Sequence, residues 1–141
     1  MFDPDQFLST PVEGELDTSF TPVPEGEYPA TISKFNFRTP KDSVILEVFW
    51  EVDDETVRQE TGMDNPTVRQ SIFLDVTPDG GLDMGKGKNV QLGRLREAVK
   101  QNGPEPWTPG MLEGSVARVK VSHTMNNGNL YANVTSVAAA G

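Results

Sequence analysis

The residues best placed for chemistry lie between Gly80 and Asn89. Gly80 and the Gly85-Lys86 pair stand at the spacing of a phosphate-binding loop, between a predicted strand and a predicted helix. Gly87 stands where such a loop needs Ser or Thr to hold magnesium, and no further apolar strand ends in a suitable metal-binding Asp. Two readings remain for Lys86 and Lys88. They are cations on a flexible loop that can follow a phosphate backbone, or solvated lysines that keep a loop soluble. His123 is the only histidine and cysteine is absent, so Ser/His or Cys/His catalysis has little material. The inward parity of His123 on a strand predicts a structural or rim residue. Asp75, Asp79 and Asp83 do not match calcium-loop spacing and read as turn and cap residues. The expectation is a chain that is not an enzyme and carries no cofactor or metal.

A second constellation interleaves aromatics with bases on alternate strand positions. Lys34, Phe35, Phe37 and Arg38 supply it from the first strand, Phe49 from the second, and Arg69 and Phe73 from the third. Arg118, Lys120 and Tyr131 add to it from the fourth and fifth. Cations can track a phosphate backbone while flat rings stack on bases, which is the chemistry of single-stranded nucleic acid binding. The competing reading is a protein-interaction or scaffold module whose outward phenylalanines meet protein. Trp50 shares the parity of Val44, Leu46 and Val48 and reads as core. Trp107, between Pro106 and Thr108-Pro109, reads as an anchor of its connection.

These residues need strands to align them. Residues 43–52 alternate: Val44, Leu46, Val48, Trp50 and Val52 share one face, and Glu47 and Glu51 lie on the other beside Ile45 and Phe49. In residues 28–38, Ala30 and Ile32 share one parity and Phe35 and Phe37 the other. A bulge near Ser33 and Lys34 is therefore predicted. Residues 66–76 form a third strand with Thr67, Arg69, Ser71, Phe73 and Asp75 outward. A helix follows from a cap at Asn89, with Val90, Leu92, Leu95, Ala98 and Val99 at helical spacing and Gly103-Pro104 as its stop. Helical character is also expected at residues 55–60. Residues 115–125 and 130–137 form two more strands about the tight turn Asn127-Gly128.

Strand, strand, strand, helix, strand, strand is the layout of the OB-fold. The predicted class is all-β: a five-stranded, partly open antiparallel barrel with one helix between strands three and four. The helix would close the barrel bottom with Leu92, Leu95 and Val99. The chain divides into an acidic, Pro-rich arm (residues 1–27), the barrel domain (28–137) and a short tail (138–141).

Its 141 residues suit one domain. The net charge of −9 is unevenly placed: residues 1–27 hold seven acids and no Lys or Arg. The remainder is nearly neutral, which weakens the objection that an acidic chain avoids nucleic acid. No apolar run is long enough to span a membrane, and the N-terminus lacks a signal-peptide layout. Absent cysteine fits a reducing cytoplasm.

In Thr67-Val-Arg-Gln-Ser-Ile-Phe-Leu-Asp75 and in Gly80 through Arg96 the chain resembles a family of small bacteriophage proteins. That family is similar to single-stranded DNA-binding proteins built on an OB-fold. The opening Phe2-Asp-Pro4 and the run Pro24-Glu-Gly-Glu-Tyr-Pro-Ala30 are also similar. The resemblance implies sequence-tolerant binding of single-stranded DNA in phage replication or recombination, in the cytoplasm of the bacterial host. Carried over by position, Lys86, Lys88, Asn89, Arg94 and Arg96 become loop and helix candidates. The expected partners are single-stranded DNA, replication or recombination proteins and further copies of the chain, with no membrane. The Ala138-Ala-Ala-Gly141 end departs from the acidic tail typical of bacterial single-stranded DNA-binding proteins, and puts C-terminal partner recruitment in doubt.

Overall fold

The alternation along residues 43–52 builds the wall of a barrel. The structure, a computed structural model, describes residues 1–16 and 21–140. Its strands are β1 (Gly26–Arg38), β2 (Val44–Val52), β3 (Thr67–Leu74), β4 (Val116–Asn126) and β5 (Asn129–Ala138). They close in the order β1-β2-β3-β5-β4 and back to β1. This is the predicted all-β, OB-like barrel. Its neighbours are antiparallel except β3 and β5, which meet in parallel through the single pair Arg69↔Asn133. The expected partial opening is thus a narrow closure. A groove of about 140 Å³ beside that joint is lined by Ile72, Gln91, Arg94 and Val137, among others.

The interior follows strand parity. Leu46, Val48, Trp50 and Val52 of β2 meet Ala30 and Ile32 of β1, Val68 and Ile72 of β3, and Ala117, Val119 and Val121 of β4. Trp50 is fully buried, and its indole Nε1 donates to Gln70 Oε1 at 2.8 Å. The predicted bulge is present. Ile32 pairs with Trp50 but Lys34 with Phe49, so Ser33 is extra in β1 and parity inverts beyond it.

Helix α3 (Val90–Ala98) lies between β3 and β4 in sequence and buries Leu92, Leu95 and Ala98, with Val99 partly buried against the same core. It ends before the predicted stop at Gly103, because Lys100 already takes a left-handed φ of 62°. Helix α2 (Glu55–Thr61) carries the expected helical character and buries Val57. Asp54 caps it by accepting from the Val57 amide at 2.9 Å.

In the arm, α1 (Pro4–Ser9) is capped by Asp3 and buries none of its residues. Residues 21–25, by contrast, join the barrel. Val23 is buried in the core, its carbonyl oxygen faces His123 Nε2 at 2.7 Å, and the His123 amide donates to Glu25 Oε2. His123 is therefore a structural residue tying the root of the arm to β4. Asp17 and Phe20, counted in the arm, and Gly141 of the tail lie outside the described residues. No helix among the described residues is long and apolar enough to cross a membrane.

Candidate nucleic-acid interface

Strand register decides which candidates meet. Lys34 pairs with Phe49, Phe49 with Arg69, Arg69 with Asn133, and Asn133 with Ser122. Paired residues share a face, so this row crosses all five strands on the outside of the barrel. A second row, Arg38–Ile45–Phe73, lies four residues further along β1 and β3. Lys34, Arg38, Phe49, Arg69 and Phe73 are thus brought onto one outer face. Tyr131 stands two residues from Asn133 on the same side of β5 and is 46% exposed.

Cations and rings are in direct contact there. Lys34 Nζ lies 4.8 Å from the centroid of the half-buried Phe49 ring. Phe73 is the most open ring on this face, at 59% exposure. Between the two rows Glu47 is 3% exposed on an outward position. Its carboxylate takes Arg38 Nε on one oxygen at 2.6 Å and Arg69 on the other at 3.0 Å. Sequence reasoning treated Glu47 only as the polar half of an alternation. The one available signal was an acid flanked on both neighbouring strands by outward arginines.

Two phenylalanines leave the set. Phe35 pairs with Val48 and Phe37 with Leu46, both buried, so both rings sit on the inner parity. The predicted bulge at Ser33 is the cause: it turns odd-numbered residues inward from Lys34 onward. Phe35 packs against the core, whereas Phe37 stays 49% exposed and lines an open apolar groove of about 290 Å³ with Leu46, Leu74, Leu92 and Trp107 at the α3 end of the barrel.

Arg118 and Lys120 also stand apart. Both are outward and exposed, but they pair with Pro29 and Glu27 of β1 and with Ala138 and Ser136 of β5. They therefore flank the first half of β1, not the β2–β3 face. Replacing both with alanine should change affinity for oligo-dT by less than about twofold at 150 mM salt, where charges act over roughly 8 Å. A fluorescence-anisotropy titration checks this, and a tenfold loss would return them to the interface.

Lys86 and Lys88 are exposed on the loop that leaves β3 just beyond Phe73. The loop is bonded internally. The third strand stops at Leu74, and Val76 instead bridges Leu82 inside the loop. Asn89 occupies the predicted N-cap position of α3, its carbonyl accepting from the Gly93 amide at 2.9 Å, but it adopts a left-handed φ of 53° and its side chain makes no capping bond. Its amide group closes the loop base instead. Oδ1 accepts from the Asp75 amide at 2.8 Å, and Nδ2 donates to the carbonyls of Asp75 and Asp83 at 2.9 and 3.0 Å. Asp75 Oδ2 in turn accepts from the Asn89 amide. Asn89→Gly keeps the left-handed backbone but loses three side-chain bonds, and should lower stability by about 1–3 kcal/mol. Unchanged urea unfolding would show that the clasp contributes nothing.

Of the helix candidates, Arg94 is exposed at the β3–β5 groove. Arg96 bonds the Gln101 carbonyl and stacks on Trp107 at 4.5 Å. Trp107 also donates to Gln101 Oε1, so it anchors its connection as predicted.

Fold and face together define the class: an OB-like β-barrel with cations and rings interleaved on its outer sheet. No protein-family model matches the chain, and no curated protein matches it significantly.

Proposed function

We propose that this chain is a non-enzymatic protein that binds single-stranded DNA with little sequence preference. One observation carries the reading: register aligns Lys34, Arg38 and Arg69 with Phe49 and Phe73 on one outer face, with Tyr131 beside them. A single strand offers bases to the rings and phosphates to the cations. The resemblance in the β3 and loop segments sets this binding in phage replication or recombination, in the host cytoplasm. The loop also supports a reading without nucleotide turnover. The amides of Gly80, Gly85 and Lys88 are bonded within the loop rather than open to a phosphate.

The test is a titration with fluorescent oligo-dT at two salt concentrations. With three face cations, log K should fall against log salt with a slope of about −2, roughly 15-fold between 50 and 200 mM. Absence of saturable, salt-dependent binding would reject the reading and leave a protein-interaction module.

A further inference from the structure

Glu47 is the one buried charged or polar residue among the described residues, and it lies on the face proposed to bind an anion. A net acid at the centre of such a face should repel a nucleic acid. Its geometry gives it another part. In register Glu47 faces Asn36 on β1 and Ser71 on β3, with no cation directly opposite. Arg38 and Arg69 belong to the rows on either side. Both guanidiniums nonetheless converge on its two oxygens, at 2.6 and 3.0 Å. The carboxylate thus draws two cations away from their own rows to the midline between Phe49 and Phe73.

A buried carboxylate is tolerable only when paired and hydrogen-bonded. Here two cations answer one anion, so the cluster keeps a net positive charge. The arginine side chains are 50% and 52% exposed, against 5% for Glu47. Arg69 Nη1 donates to Glu47 and Arg38 Nε is ion-paired with it; each guanidinium has five N–H donors, and both side chains stay half exposed. Two planar donors fixed side by side suit a phosphodiester better than two free side chains, because their ordering precedes binding.

We infer that Glu47 is a positioning residue: it holds Arg38 and Arg69 together as the seat of one backbone phosphate, midway between the two stacking rings. This rests on the single-stranded DNA reading and names how that face takes the strand.

The test turns on the sign of one effect. Glu47→Gln removes a negative charge from the face, so charge alone predicts tighter binding to oligo-dT. Positioning predicts binding weaker by about tenfold. The double variant Arg38→Lys with Arg69→Lys keeps both charges on exposed side chains and loses the fork. It should weaken binding by a similar factor with its thermal midpoint nearly unchanged. In the wild type the Arg38 Nε–H should give a resolved ¹⁵N resonance that shifts when oligo-dT is added; in Glu47→Gln it should collapse into the common arginine signal. Failure of the wild type to bind oligo-dT would overturn the functional reading and this inference with it. Wild-type binding with equal or tighter binding by Glu47→Gln would overturn the inference alone. Should Glu47→Gln fail to fold, the lysine pair decides, and wild-type affinity in that variant overturns the seat.

Discussion

Phe73→Ala weakens binding to oligo-dT by about 1–3 kcal/mol, the range for loss of one base–aromatic stack, and leaves stability within about 0.5 kcal/mol. Both halves follow from its placement. The ring is 59% exposed beside Ile45 on the outer face, so little core is lost with it. Phe49→Ala should lie nearer the lower end of the range, because Lys34 already occupies one approach to its ring. Phe35→Ala should behave oppositely. It packs on the core from the inner side of β1, so unfolding is affected first; its half-buried site holds the loss below the ~3–5 kcal/mol of a fully buried phenylalanine. Anisotropy titrations and urea melts of the three variants give the comparison. Wild-type affinity in Phe73→Ala would remove the ring from the interface.

Trp50→Ala should be the most damaging single change, at about 3–5 kcal/mol. That is a large fraction of the ~5–15 kcal/mol that holds a typical domain together. Trp50 is fully buried where β2 is flanked by Ile32 of β1 and Val68 of β3. Its removal opens a cavity shared by three strands and strips Gln70 Oε1 of its 2.8 Å donor. Trp50→Phe fills most of the volume but still leaves that oxygen unmatched, so it should fall between the two. Urea unfolding followed by far-ultraviolet circular dichroism measures both. A change below about 1 kcal/mol in Trp50→Ala would contradict a core built on this side chain.

Much of this architecture is legible in the sequence because strand parity is a local property. The alternation in residues 43–52 and the parity break at Ser33 each report burial at their own positions, and both appear in the barrel. Placement across strands is different, since it depends on register between distant segments. Nothing local to Arg69 or Asn133 shows that they face each other, so Tyr131 could be grouped with Arg69 only by its residue type and outward strand parity. The same limit explains the separation of Arg118 and Lys120. They have the right chemistry and outward parity, and the barrel curves them away. Phe35 and Phe37 are a different failure. The bulge that turns them inward was itself readable, but its consequence needs the pairing with Val48 and Leu46. Asn89 shows the limit of residue preference: asparagine favours both caps and left-handed turns; it stands at the N-cap in a left-handed conformation, and contacts with Asp75 and Asp83 take its side chain away from the helix amides.

The β3–β5 joint has a bearing on how the molecule breathes. Every other neighbouring pair of strands is held by a ladder of partners, whereas this one is held by Arg69↔Asn133 alone. Local openings follow the least protected contacts, so the barrel should part here into an open sheet, with β3 and β5 as its free edges. Amide hydrogen exchange should be fastest along those two edges. Apart from Tyr131 on β5, the face rides on β1, β2 and β3, which stay in register when the joint parts. Only Arg69 belongs to both. A strand seated at Arg69 would therefore slow exchange at Asn133, on a β-strand it need not touch.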